Sequence, residues 1–200
     1  MNRVSHIKEF NLNGFLSILA GLLYLVGIIF YIFAILQGET IPAKTSWIIW
    51  AILDTITILG MCIKDTVNGQ IIGAVIGGWI IVIIALKRGV SGWTKLDRFC
   101  FGGVILDVVI WLISNNPIVG ILLSLGLVFI GSIQTFISAW KNPSREDRLA
   151  WTIYWFSCVC AIFAIPHWNL ANAAQPVVFF AVETVMMCIL YIRPHYKRVL

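Results

Sequence analysis

Three carboxylates, Asp54, Asp107 and Glu183, lie inside long apolar runs of this chain. An ionised Asp in the middle of a bilayer-spanning helix costs about 3 kcal/mol on insertion scales, so such a group faces a bundle interior or water. Two kinds of chemistry fit. The carboxylates bind a solute or carry a proton, or they satisfy hydrogen bonds between helices. Asp54 belongs to TSWIIWAILDTIT (45–57), where Trp47, Trp50 and Asp54 follow i, i+3 and i+7 and share one helical face. A second tract, LAWTIYWFSCVC (149–160), repeats the theme with Trp151, Tyr154, Trp155 and Cys158. Aromatic faces beside polar groups suit a flat or ring-shaped solute, held by stacking and a few directed hydrogen bonds. Anchoring at a bilayer interface is the other common role of Trp near a helix end, and applies to Trp47 and Trp151.

The last apolar run places Asn172, Gln175 and Glu183 within a helical face of about 80°. That stripe reads either as a cavity lining or as contacts between helices. Asn68 and Asn172 fall near the outer ends of their runs, as N-caps or entry-gate residues. The candidate solute-binding set is therefore Trp47, Trp50, Asp54, Asn68, Trp151, Tyr154, Trp155, Asn172, Gln175 and Glu183. His167 reads as a solvated loop residue. Of the five cysteines, Cys158 and Cys160 point roughly 200° apart on a helix and make poor joint ligands, so no metal site is expected. There is no HExxH, nucleophile elbow or P-loop motif. Neither an enzyme nor a cofactor is expected.

The elements that position these residues follow from composition. The 200 residues are 60% hydrophobic and 12% charged, which a soluble core with a polar surface cannot use; bilayer-spanning helices can. The net charge of +5 is spread over short loops, which argues for membrane topology and against a nucleic-acid partner. After a polar lead (1–13), spans are expected at about 14–36, 45–63, 68–86, 99–114, 118–140, 149–165 and 171–192, followed by a tail (193–200). The first apolar run is too long for a signal-peptide core and is expected to remain as span one.

Glycines at 69, 73 and 77 recur every fourth residue, and Ser17, Gly21 and Tyr24 mark a packed face on span one; such small-residue stripes allow close helix approach. One side of the membrane would carry three of the fourteen Lys and Arg residues (Arg3, Lys8, Lys64) and the other the remaining eleven. The positive-inside rule then puts the C-terminus in the cytoplasm and the N-terminus outside. An offset of 104 residues pairs Trp47 with Trp151, Asn68 with Asn172, Asp54 with Cys158 and Trp79 with Glu183. The expected fold is all-α: a polytopic protein of seven helices in a three-plus-one-plus-three arrangement. A first bundle (14–86) and a second (118–192) run parallel, joined by a basic connection and linker helix (87–117).

That plan resembles the SWEET sugar transporters and the nicotinamide riboside transporter (PnuC) family, within the wider group that includes PQ-loop proteins. The local likeness is to the PnuC second and sixth helices, which carry Trp-x-x-Trp followed by Asn and a hydroxyl residue. Here Trp47, Trp50, Asp54 and Thr57 match, with Asp replacing Asn; the second copy matches through Trp151 and Tyr154/Trp155, with Cys158 where Asn would stand. The Pro-Gln dipeptide is absent: Ala43 follows Pro42 and Ser144 follows Pro143. The resemblance implies rocking of two bundles about a central site, without an ATP site. The expectation is a small-solute transporter, facilitative or proton-coupled, in the inner or plasma membrane. Its partners would be a polar or ring-containing solute and the bilayer. Glycine faces are also compatible with a homo-oligomer, and a non-transporting scaffold or sensor is the alternative.

Overall fold

The computed structural model describes residues 11–90 and 92–196, with side chains through Arg193. Residues 1–10 of the polar lead, with Arg3, His6, Lys8 and Glu9, and residues 197–200 of the basic tail lie outside the described residues. Seven α-helices follow one another: α1 (Leu12–Gln37), α2 (Lys44–Ile63), α3 (Gly69–Arg88), α4 (Lys95–Ser114), α5 (Pro117–Lys141), α6 (Arg148–Phe163) and α7 (Leu170–Tyr196). A single 3-10 turn, Pro143–Arg145, precedes α6. The described residues form no strand, only one isolated bridge between Ala43 and Val90.

The helices begin where side chains can hold free backbone donors. Asn11, Asn68, Asn116 and Asp147 each accept from the first turn of α1, α3, α5 and α6. Thr94 and Asp97 form a reciprocal capping box, which starts α4 four residues before the expected span. Likewise α3 continues through Lys87 and Arg88. Half of the basic connection expected over 87–98 is therefore helical, and 89–94 bridges α3 to α4.

Five helices (α1, α2, α3, α5 and α7) are long and apolar enough to cross a bilayer. With Lys95, Asp97 and Arg98 in its first turn and Asp107 within, α4 is more polar; α6 has 16 residues, about 24 Å of rise. Large apolar side chains line the outside: Leu22, Phe33, Ile83, Leu112 and Ile113 are all more than half exposed. A surface of this kind belongs in lipid, and the chain is a helical, multi-pass membrane protein.

In the packing, α3 lies against both α1 and α2, and α7 against both α5 and α6. Across these groups α1 packs on α6 and α2 on α5, with α4 outside against α5 and α2. The α1–α3 contact depends on absent side chains. A Cβ on Gly21 would meet the Gly69 carbonyl oxygen at 2.5 Å, and one on Gly69 would collide with the Ser17 carbonyl. The same approach lets the Gly69 N–H donate to Ser17 Oγ at 2.8 Å. Asp107, one of the three carboxylates in apolar runs, accepts a short hydrogen bond from Ser124 and so ties α4 to α5.

Candidate functional site

Alternation of helix direction brings one set of loops (38–43, 89–94 and 142–147) to one end of the bundle. The turns at 64–68 and 164–169 and the start of α1 come to the other. Among the described residues, Lys44, Lys87, Arg88, Lys95, Arg98, Lys141, Arg145, Arg148 and Arg193 belong to the first end, and Lys64 alone to the second. The first will be called the basic end.

A small cavity of about 50 Å³ lies between α1, α2, α5, α6 and α7, lined by Tyr24, Trp47, Trp50, Asp54, Val128, Ser132, Trp151, Tyr154, Phe179, Val182 and Glu183. Six of the ten sequence candidates meet there: Trp47, Trp50, Asp54, Trp151, Tyr154 and Glu183. Helical spacing on α2 delivers Trp47, Trp50 and Asp54 to one wall, and α6 supplies Trp151 and Tyr154 to another. The rings touch one another: Tyr24 and Tyr154 lie 4.8 Å apart, Trp47 and Trp50 5.5 Å, Trp151 and Tyr154 5.8 Å. Trp47 and Trp151 are 7% and 4% exposed, so they pack inside the bundle rather than anchoring it in a headgroup layer.

Polar atoms of this cavity are left without partners. Trp50 Nε1, Asp54 Oδ1, Tyr154 OH and Glu183 Oε2 are buried and make no hydrogen bond. Native interiors hold few such groups, because each forfeits its hydration. All four belong to residues that line this one hole. Ser132 offers only its acceptor side, since its hydroxyl donates to Val128 O at 2.8 Å.

Beyond Trp47, Trp50 and Trp151, towards the basic end, a vestibule of about 310 Å³ opens between Tyr31, Ala43, Ser46, Val90, Thr135, Ser138, Lys141, Arg145 and Glu146. The three tryptophans belong to both spaces and form the constriction between them. Trp151 is held there by donating Nε1–H to Glu146 Oε2 at 3.0 Å. Burial pushes the Glu146 carboxyl up to about 7; the Trp151 bond opposes this and the neighbouring Asp147 adds to it.

The opposite end is shut by side-chain amides. Asn68 Nδ2 donates to Gln175 Oε1 at 2.7 Å, and Gln175 Nε2 to Gln70 Oε1 at 3.0 Å. Gln70 Nε2 donates to Ser157 Oγ at 3.2 Å and Cys158 Sγ at 3.0 Å, and Ser157 Oγ to Ala20 O at 2.7 Å. Gln70, Gln175, Ser157 and Cys158 are fully buried. Every one of these bonds joins α1 or α3 to α6 or α7. Outside the plug lies a second opening of about 270 Å³, lined in part by Ser17, Asp65, Asn68, Asn172 and Pro176. No side-chain hydrogen bond among the described residues joins the same two helix groups at the basic end.

The remaining candidates are placed as follows. Asn68 is both an N-cap, accepting from Ile71 N at 3.1 Å, and a member of the plug, as is Gln175. Asn172 faces the outer opening and donates to Asn169 Oδ1. Trp155 stands apart from the cavity, stacked near Phe180 and donating to Thr184 Oγ1 at 3.0 Å. Trp79, paired by offset with Glu183, is 40% exposed and donates to Thr55. His167 is exposed. Sequence reasoning did not select Gln70, Tyr24 or Glu146. Gln70 carried a signal, an amide two residues after Asn68 in an apolar run; Glu146 lies inside the charged stretch KNPSREDR, where nothing set it apart from its neighbours.

Comparison of this chain with protein-family models, with curated proteins and with solved structures finds no match.

Proposed function

We propose that the chain is a small-solute transporter in which α1–α3 and α5–α7 form two parallel three-helix bundles, joined by α4, that rock about the central cavity. Seven crossings put the C-terminus on the positively charged, cytoplasmic side and the N-terminus outside. The neighbour pattern supports the pairing of the halves. Exchanging α1 with α5, α2 with α6 and α3 with α7 turns each principal contact between these helices into another one: α1–α3 into α5–α7, and α1–α6 into α2–α5. A pseudo-two-fold axis along the membrane normal produces that pattern.

The observation that carries the functional reading is the asymmetry of closure. Hydrogen bonds across the halves shut one end at Asn68, Gln70 and Gln175, while a vestibule opens at the other. A cavity with unpartnered polar atoms lies between. Alternating access needs two such conformations, exchanged by breaking one closure and making the other. Pro176 in α7 faces the outer opening and has no N–H to offer the Asn172 carbonyl, which loosens the helix beside the plug.

The test is reconstitution into liposomes and entry of a panel of labelled small solutes. Uptake of at least one member is expected, and Trp50→Ala and Asp54→Asn each abolish it while leaving the elution profile of the purified protein unchanged. Full uptake by both variants removes the proposed site. Accumulation under an imposed pH gradient identifies proton coupling, whereas equilibration regardless of the gradient identifies facilitated diffusion.

A further inference from the structure

We infer that the central cavity selects a small monovalent organic cation, a compact amine or guanidinium of a few heavy atoms. The inference rests on the reading of that cavity as the transport site and names its substrate class.

Charge decides the sign of the ligand. Asp54 and Glu183 reach the cavity from α2 and α7, both 6% exposed, each with an oxygen that no protein donor satisfies. Among the described residues no Lys, Arg or His lines it. Two carboxylates in a low-dielectric space with no basic side chain must be neutralised by something that enters, a proton or a cationic ligand. An anion would be repelled wherever these carboxylates are ionised, and a monovalent cation balances one of them while a proton balances the other.

The walls decide the kind of cation. Trp47, Trp50, Trp151 and Tyr154 surround the space, and aromatic faces attract organic cations through the ring quadrupole. Ca2+ and Mg2+ want six or more oxygen ligands, and two carboxylates among indoles do not supply them. The volume of about 50 Å³ holds on the order of four water molecules, which sets the size class of guanidinium or methylammonium. The N–H groups of such a ligand would complete Asp54 Oδ1 and Glu183 Oε2, as charge-assisted bonds of the strong kind.

The experiment uses the full chain in lipid nanodiscs, with tryptophan fluorescence as the readout at constant ionic strength. The probes are guanidinium, methylammonium, urea (the neutral isostere of guanidinium) and sodium. A saturable response to guanidinium or methylammonium, absent with urea and sodium, is expected. Asp54→Asn and Glu183→Gln should each weaken binding by roughly thirtyfold or more, as for loss of one partner of a buried charge pair. The isostere comparison needs no variant, so misfolding cannot mask the answer. Equal responses to urea and guanidinium, equal responses to sodium, or no response to either organic cation overturn the inference. Flux of the same probes in liposomes separates the two readings. Cation binding without flux of any solute supports the site and removes the transporter; flux of a neutral solute with no cation binding does the opposite.

Discussion

Replacing Gln175 by Leu should unlock the plugged end, and the structure gives the size of the effect. Gln175 makes two hydrogen bonds across the halves, accepting from Asn68 and donating to Gln70. Leucine fills similar space and returns neither. Asn68 is only partly buried and borders the outer opening, so its amide can turn to water while its carbonyl still caps α3. Gln70 is fully buried, and its Oε1 would be left with no donor. An unsatisfied buried acceptor costs about 1–3 kcal/mol. The closed arrangement should therefore lose about 2 kcal/mol relative to one in which Gln70 meets water, raising the open population roughly thirtyfold.

Cys158 reports this directly. Its thiol is fully buried beneath the plug and accepts from Gln70 Nε2. In a background with Cys62, Cys100, Cys160 and Cys188 replaced, a membrane-impermeant methanethiosulfonate is applied to vesicles from the side that the plugged end faces. The Cys158 modification rate should follow the open fraction and rise about thirtyfold in Gln175→Leu. Gln175→Glu is the control for shape: protonated, it can still accept from Asn68 and donate to Gln70, so labelling should fall between the two as pH is lowered. A Cys158 rate that does not change in a folded Gln175→Leu protein would refute the argument that these amides hold the end shut.

Three further outcomes are expected. Gly69→Ala drives a Cβ into the Ser17 carbonyl, which belongs to backbone and cannot swing aside, so α1 must lift from α3; a loss of about 1–3 kcal/mol should lower the thermal midpoint. Gly126→Ala, with nothing within 4 Å of the added Cβ, should leave the midpoint unchanged or raise it. For Glu146, whose carboxyl burial lifts from 4.5 to about 7, the folded form holds its proton more tightly than the unfolded one. Its stabilising contribution is complete below pH 4.5 and is lost as pH rises through about 7. That is about 3 kcal/mol at most, and nearer 1–2 with one side open to vestibule water. Thermal midpoints across that window should fall with rising pH in the unaltered chain and flatten in Glu146→Gln; an unchanged slope in the variant would assign it to another group.

The sequence carried the helices because apolar runs punctuated by Asn, Pro and Gly leave little choice once the solvent is lipid. Expected spans and observed helices part at the start of α4, where Thr94 and Asp97 cap the helix ahead of the apolar run, and at the end of α7, which continues to Tyr196. The i, i+3, i+7 spacing of Trp47, Trp50 and Asp54 likewise fixed their shared face before any packing was known. What one helix cannot reveal is its rotation against the others. Trp155 is adjacent to Tyr154, and only packing tells that the phenol points inward while the indole pairs with Thr184. Gln70 and Glu146 illustrate the same limit: an amide near the end of a span and a Glu in a charged loop both look solvated until a partner arrives from a helix more than 85 residues away or from the next turn of chain.

Asp54 and Glu183 show where pattern and chemistry part. The 104-residue offset matches Asp54 to Cys158 and Glu183 to Trp79, so neither acid has an acidic counterpart. Cys158 instead receives a hydrogen bond from Gln70, and Trp79 turns to Thr55. The two carboxylates nonetheless line one cavity, because α2 and α7 approach it from different sides. A pocket lined this way offers its ligand unlike walls: α2 brings two indoles and an acid, whereas α6 brings an indole and a phenol and leaves its acid to α7. Orientation of a bound solute is then set by which wall its donors face, and swapping the acid to the matched position, Cys158→Asp with Asp54→Cys, should not restore what Asp54→Asn removes.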